Sequence, residues 1–356
     1  MHCKRRKKRR VGMVYAMTNA VCNEVIAFRR RSNGTLTRIK AYDTGGRGTG
    51  EAIIDPLGSQ GSLILSRCGT LLFAVNAGSN SISSFRVSKC GKLTLVDVDP
   101  SGGTRPNSLS VFGNLLYVTN AGDPANNIPS NITGFCVERD GRLFRITGST
   151  RSLSTPNAQP ACIVFSPHGH KLVVSELNNN RLSVFQVECD GTVTGPIINN
   201  SNGEGPFGSV FRSTGLLLNA EAGANALSSY KLESDGDLDV ISGSVENFQA
   251  ATCWVALSRR EHFAYTSNTG SHTITTYLVR KNGTLAVEDI VYSTWRGIGA
   301  PIDSGVSRDG NNFYVLNGNT GSISVFRIAK NGNLIRLQVF TKTGLPEVGA
   351  QGLAVL

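Results

Sequence analysis

Short apolar runs separated by polar turns recur along this chain with a period near fifty residues. In one unit Ser62-Leu63-Ile64-Leu65 precedes the turn Cys68-Gly69, and Leu71-Leu72-Phe73-Ala74-Val75 follows. The polar loop Asn76-Ala77-Gly78-Ser79-Asn80 comes next. The run Ile82-Ser83-Ser84-Phe85-Arg86-Val87, with partial period-two alternation, leads through Cys90-Gly91 to Leu93-Thr94-Leu95-Val96. Runs of this length, rich in β-branched and aromatic residues and without helical periodicity, predict four strands, A to D, joined by hairpins.

Seven units carry the same three marks: an aromatic residue, a glycine six positions later and an apolar residue two further on. They are Phe28/Gly34/Leu36, Phe85/Gly91/Leu93, Phe135/Gly141/Leu143, Phe185/Gly191/Val193, Tyr230/Gly236/Leu238, Tyr277/Gly283/Leu285 and Phe326/Gly332/Leu334. Successive glycines lie 57, 50, 50, 45, 47 and 49 residues apart. The C–D turn reads Asn33-Gly34, Asp140-Gly141, Asp190-Gly191, Asp235-Gly236, Asn282-Gly283 and Asn331-Gly332. Such dipeptides are the strongest short hairpin signals, because both residues tolerate positive φ. The pattern predicts an all-β fold, a seven-bladed β-propeller of four-stranded antiparallel blades.

The first unit begins near Val11 with a B strand and lacks its own strand A. Gln351-Gly352-Leu353-Ala354-Val355-Leu356 reads like Gln60-Gly61-Ser62-Leu63-Ile64-Leu65, so the C-terminal strand is expected to join blade 1 and close the ring. Two insertions stand out. Ala121–Ser130 lengthens one B–C loop. Thr44–Gly61 is glycine-rich and reads as a flexible surface loop; its glycines are not followed by the helix that a phosphate cradle needs.

Of the net charge of +11, seven units come from Lys4-Arg5-Arg6-Lys7-Lys8-Arg9-Arg10. Residues 1–10 therefore read as a basic disordered tail and 11–356 as a single propeller. The tail offers the one route to nucleic acid or a nuclear address, since the rest is only mildly basic. Hydrophobic residues at 40% suit a compact soluble protein. None of the eight cysteines forms a CxxC pair, which removes zinc and thioredoxin-type readings; scattered free thiols imply a reducing, cytoplasmic setting. No apolar stretch spans a membrane, and no secretory signal follows the basic run. No cofactor is expected, and the chain reads as a monomer.

Superposing the units turns the repeat into a search for exceptions. The last position of strand B reads Asn19, Asn76, Asn120, Asn268 and Asn317 in five blades, but Glu176 and Glu221 in two adjacent ones. Asn caps turns with its own side chain. Glu does so poorly, so this carboxylate pair reads either as acid and base, as cation ligands, or as acceptors for loop N–H groups. The D–A linkers on the same face add Gln60, Arg105, Gln159 and Phe207, of which Arg105 can clamp an anion. The histidines do not cluster; His168 and His170 flank a turn on the opposite face.

The stretches Gly58-Ser59-Gln60-Gly61-Ser62-Leu63-Ile64-Leu65-Ser66, Leu72-Phe73-Ala74-Val75-Asn76-Ala77-Gly78-Ser79-Asn80 and Ala264-Tyr265-Thr266-Ser267-Asn268-Thr269-Gly270-Ser271 resemble the lactonase family of seven-bladed propellers, which includes 6-phosphogluconolactonase and carboxymuconate cyclase. The resemblance covers residues 11 to 356. Tyr117-Val118-Thr119-Asn120 is also similar to YVTN-type propellers. The lactonase resemblance implies a hydrolase or cycloisomerase of a small acidic lactone and matches the family's blade-5 Glu in Glu221; with Glu176, its neighbour from the repeat, it forms the candidate catalytic pair. Arg105, Gln60, Asn76, Asn120, Gln159, Phe207, Asn268 and Asn317 would bind the lactone or organic acid. The family's His before strand A of blade 4 is unmatched in Gln159-Pro160-Ala161-Cys162, and its Arg and His at blade 5 are replaced in Gly205-Pro206-Phe207-Gly208. A non-catalytic propeller that binds a small molecule or a protein is the alternative.

Overall fold

The computed structural model describes residues 12–356, so the expected basic tail lies outside the described residues. Seven antiparallel sheets are arranged as blades. Blade 2 shows the standard unit: strand A Leu63–Leu65, B Leu71–Asn76, C Ser81–Val87 and D Leu93–Pro100. Blades 4 to 7 repeat it, with first strands Pro160–Phe165, Pro206–Phe211, Thr252–Leu257 and Pro301–Val306. Blade 3 starts at Pro106–Phe112 and has its D strand split into Leu143–Arg145 and Arg151–Ser152. Its long B–C loop carries the short 3-10 turn Pro124–Asn126.

Blade 1 is closed by the other end of the chain, as the sequence predicts. Leu353–Val355 pairs with Met13–Met17, with Val355 opposite Val14 and Leu353 opposite Ala16. The register differs by one residue from the sequence alignment. Leu353 occupies the place of Leu63, not of Ser62, since Met17 N reaches Gly352 O as Val75 N reaches Ser62 O. Asn19 is likewise displaced: Thr18 N pairs with Glu24 O, so Thr18 ends the ladder and Asn19 turns away in the left-handed region at φ 51°.

The C–D turns are tighter in design than Asn-Gly alone suggests. Only the glycine is left-handed; Asn33 and its equivalents are not. In blade 1, Gly34 N bonds Arg31 O and Arg31 N bonds Thr35 O, a turn that ends in a left-handed bulge residue. The Asn or Asp instead accepts the N–H two residues on, as Asn33 Oδ1 does from Thr35 N (3.1 Å) and Asp190 Oδ1 from Thr192 N (2.9 Å). Blade 2 has Cys90 there, and the Ser88 hydroxyl takes over, accepting Lys92 N at 2.9 Å.

The carbonyl of that glycine is the docking point between blades. Each is capped by a side chain of the preceding blade. Tyr15 Oη donates to Gly91 O (2.9 Å), Ser84 Oγ to Gly141 O (2.6 Å) and Tyr117 Oη to Gly191 O (2.7 Å). Asn199 Nδ2 donates to Gly236 O (3.1 Å) and Ser229 Oγ to Gly283 O (2.8 Å). Tyr265 Oη donates to Gly332 O (3.0 Å), and Tyr314 Oη to Gly34 O (2.8 Å) completes the circle.

On the opposite face a second latch recurs. Left-handed residues in the B–C loops accept the N–H of a left-handed residue leading into the next blade: Asn80 Oδ1 from Arg105 (2.9 Å), Asn180 Oδ1 from Gly205 (2.8 Å), Asn225 Oδ1 from Ala251 (2.7 Å) and His272 Nδ1 from Ala300 (3.0 Å). Asn suits this place because it tolerates positive φ and carries an acceptor.

Truncation after Gly349 removes the strand on which closure rests and frees the edge of Met13–Met17. The expected outcome is a melting temperature lower by roughly 10 °C or more, equivalent to several kcal/mol in a chain this long. A calorimetric melt superimposable on that of the full chain would show that the strand does not close the ring.

Candidate functional site

The D–A linkers and B–C loops share one face, and the linker between blades 1 and 2 shapes the mouth there. It is not the flexible surface loop that its glycine content suggests. Gly48 N bonds Ala20 O (2.8 Å), Gly50 N bonds Asn19 O (3.0 Å) and Gly78 N bonds Arg47 O (2.9 Å). A Cβ on Gly48 would stand 2.3 Å from the Asn19 carbonyl oxygen, so glycine there serves close backbone approach.

From Asp55 the linker descends and plugs the channel. Leu57 N donates to Gln351 Oε1 (2.8 Å), and Leu57 O accepts Asn107 Nδ2 (3.3 Å). Ser59 Oγ donates to Asn107 O (2.7 Å), while Ser59 O accepts both Trp254 Nε1 (3.1 Å) and Gln351 Nε2 (2.8 Å). Gln60 N bonds Ala161 O (2.8 Å), and its side chain bridges Ser209 O (3.0 Å) and Val255 N (2.9 Å). The plug thus holds the inner strands of blades 3, 4, 5 and 6 and the segment that leads into the closing strand.

Two carboxyl groups meet at this plug. Asp55 is partly exposed, accepts Gly58 N at 3.0 Å and lies beside the Gln351 amide. Asp303, on strand A of blade 7, is only 4% exposed and accepts Gly352 N at 2.8 Å. Burial pushes Asp55 up to about 7, outweighing the opposing pull of Gln351, Gly58 and Ser59. Burial likewise raises Asp303 to about 7, and the charge of Asp55 adds to it. Burial also raises the neighbouring thiols, Cys162 to about 12 and Cys253 beyond the range of ordinary titration, so neither is a ready nucleophile. Around the pair the wall is apolar. Phe207 packs edge-on against Trp254 at 4.9 Å, within a cluster that includes Ala161, Cys253 and Ile302, with Leu177, Ala222 and Ala251 partly exposed.

The residues singled out by the repeat divide into two groups. Asn76, Asn120, Glu176, Glu221, Asn268 and Asn317 are fully buried at the ends of their B strands. Asn76 Nδ2 donates to Ser83 Oγ (2.7 Å) and Asn268 Nδ2 to Thr275 Oγ1 (2.9 Å); Asn317 Nδ2 donates to Ser324 Oγ (2.9 Å) and Asn120 Nδ2 to Asn131 Oδ1 (2.9 Å). Glu176 keeps the same geometry with polarity reversed. Ser183 Oγ donates to it at 2.5 Å, joined by Ser154 N (3.1 Å), the Ser154 hydroxyl and Asn179 Nδ2 (3.3 Å). Glu221 accepts Gly203 N (2.9 Å), Ser244 Oγ (2.8 Å) and Tyr230 Oη (3.4 Å). A hydroxyl both donates and accepts, which is why amide and carboxylate exchange at one position. A glycine of the D–A linker lies over several of them: a Cβ on Gly203 would meet Glu221 Oε2 at 2.3 Å. These side chains are fully buried and bind loop to blade.

Gln60, Gln159 and Arg105 lie on the D–A linkers of that face, and Phe207, 3% exposed, stands at the start of strand A of blade 5. Gln159 is left-handed and its amide lies against Gly58. Arg105, 45% exposed on the rim, pairs with Glu51 at 3.5 Å. Asp55, Asp303 and Gln351 escaped the sequence reading. A usable signal existed for one of them: Asp303 is an acid inside an innermost strand, Pro301-Ile302-Asp303-Ser304-Gly305-Val306, where burial is the rule. Among the described residues no group of three or more His, Cys, Asp or Glu side chains is placed to hold a metal ion.

A family model described as lactonase, seven-bladed β-propeller, matches residues 11–128 and 162–347. The chain belongs to this lactonase family. Solved structures agree on the fold. The periplasmic gluconolactonase of Pseudomonas aeruginosa aligns with a TM-score of 0.77 and 17% identity over 97% of this chain and 99% of that one. A putative 6-phosphogluconolactonase from Bacteroides uniformis gives a TM-score of 0.77 and 17% identity over 98% and 100%. Virginiamycin B lyase from Staphylococcus aureus is more distant, with a TM-score of 0.57 and 14% identity over 82% and 88%. Among curated proteins none matches. No helix among the described residues of this lactonase-family chain is long and apolar enough to cross a membrane.

Two outcomes follow from the buried acids. Asp55 and Asp303 bind their protons more tightly folded than unfolded. Their contribution to stability is therefore complete below about pH 4 and is lost as pH rises towards 7. The melting temperature is expected to fall by several degrees between pH 5 and pH 7.5, and Asp303→Asn to flatten that slope; a rising profile would refute the assignment. Glu221→Ala strands the donors Ser244 and the Gly203 N–H, and is expected to cost about 2–4 kcal/mol in denaturant unfolding. A loss under about 0.5 kcal/mol, the range of neutral surface changes, would contradict its holding role.

Proposed function

We propose that this protein binds a small acidic lactone at the mouth above the plug and opens the ring by hydrolysis, with Asp55 as the acid–base group. The observation that carries this reading is a partly exposed carboxyl, raised to about 7, on the linker that bonds to the inner strands of a lactonase-family propeller. A group poised near neutral pH can both take and return a proton. As a carboxylate, Asp55 accepts a proton from water as the water oxygen attacks the lactone carbonyl. As an acid, it returns that proton to the ring oxygen while the carbon–oxygen bond breaks, leaving a hydroxy acid. Burial keeps Asp55 near neutrality, and the charge of Asp55 in turn raises Asp303. Arg105 on the rim is the clamp for the substrate's own carboxylate, and Gln60, Gln159 and Phe207 form the wall. Glu176, Glu221, Asn76, Asn120, Asn268 and Asn317 hold the loops around it. The unpaired Cys22, Cys68, Cys90, Cys136, Cys162, Cys189 and Cys253 support a reducing compartment.

A propeller that binds without chemistry is the second reading. It is favoured by Phe207 and Gln159 standing where the resemblance expects cationic residues.

Five- and six-membered lactones, with and without a carboxylate, test the proposal by proton release. Asp55→Asn is expected to lower kcat/KM by about 10²- to 10⁴-fold with the fold intact by circular dichroism. Full activity in Asp55→Asn would remove the acid–base role, and a wild type that binds a lactone without opening it would establish the second reading.

A further inference from the structure

The face opposite the plug holds a groove of about 920 Å³ between blades 6 and 7. One wall is the A–B turn of blade 6, with Arg259, Arg260 and His262. The other comes from blade 7, with Asn311 on its A–B turn and Lys330 on its C–D turn. Arg259, Arg260, His262, Asn311 and Lys330 are all exposed.

The charges in this groove are unevenly committed. Asp309 is held by Arg30 (2.7 Å), by Ser307 Oγ (2.7 Å) and by Asn311 N (3.2 Å). Glu261, on the same turn as Arg260, accepts Ser213 N (3.1 Å) and Ser213 Oγ (2.7 Å). Asp309 is thus charge-paired, and Glu261 is tied to Ser213 by neutral donors. The Arg259, Arg260 and Lys330 side chains have no hydrogen-bond or ion-pair partner among the described residues. Gly310 lets the two turns approach closely at the base of the Arg259 side chain: a Cβ there would meet Arg259 Cβ at 2.8 Å. The corresponding groove between blades 5 and 6 gives a contrast. It measures about 330 Å³, and two of its three cations are engaged, Lys231 by Glu233 and Arg212 by Arg280 O (3.0 Å).

We propose that the groove between blades 6 and 7 is a binding site for a small organic anion carrying two or more phosphate groups. Concave placement of several unneutralised cations focuses potential on one volume. Guanidinium forks suit phosphate oxygens, and the Asn311 amide adds a neutral donor. The volume fits a ligand of nucleotide size. This site is independent of the lactone mouth, which lies on the other face.

Titration calorimetry of the full chain with inorganic tripolyphosphate at low salt tests it. Binding near one equivalent is expected, weakening steeply as sodium chloride is raised. Arg260→Glu combined with Lys330→Glu, both exposed and free of structural bonds, is expected to weaken it at least tenfold. Arg105→Glu on the opposite face is expected to leave it unchanged. No heat from the wild type, or equal affinity in the double variant with an unaltered melting temperature, would overturn the proposal; the latter would place the anion on the basic N-terminal residues instead.

Discussion

The structure depends on one interaction repeated around the ring: a side-chain donor of each blade bonded to the glycine carbonyl in the C–D turn of the next. No blade can bury its two faces alone, so stability resides between units. Hydrophobic packing between twisted sheets is tolerant of small rotations. A hydrogen bond at the outer hairpin is directional and fixes the angle of one blade on its neighbour. Because Tyr314 returns to Gly34, errors cannot accumulate around the circle. The donor varies among Tyr, Ser and Asn, whereas the acceptor is always the turn glycine, whose left-handed backbone presents the carbonyl outward.

The centre is organised differently. Inner strands cannot fill the channel, and the protein fills it with its own linker. Backbone and amide groups of residues 57–60 satisfy donors and acceptors from four blades. Placing two carboxyls in this low-dielectric region is costly, and the cost appears as retained protons. Loop donors satisfy Glu176 and Glu221; Asp303, buried, and Asp55, partly exposed, have no cation beside them among the described residues.

The architecture was legible because its determinants are local. A glycine six residues past a buried aromatic, with Asn or Asp before it, encodes a turn chemistry that needs no tertiary context. Closure by the C-terminal strand was also legible, but apolar similarity alone placed it one residue off, since Gln60 and Gln351 are alike in type and not in position. The ring of Asn and Glu is legible at the ends of the B strands except in blade 1, where Asn19 lies one residue beyond; the burial of these side chains is not. Burial of a loop-capping side chain is decided by linkers distant in sequence, such as Gly203 over Glu221. The plug was illegible: glycine-rich composition describes backbone freedom equally well on a surface and in a tight passage. Only the acid within Pro301–Val306 hinted at the centre's chemistry.

The bond from the Trp254 indole to Ser59 O gives the molecule an optical reporter. Trp254 is one of two tryptophans and lies 1% exposed against Phe207; Trp295 stands on the surface under Arg336. Emission from the buried indole therefore registers whether the plug is seated, and the exposed one serves as an internal reference. Ser59 O also takes the Gln351 amide, which lies 292 residues away in the chain. The same light signal thus reads the junction of the two chain ends, so occupancy of the channel and integrity of the circle can be followed together in solution without a label.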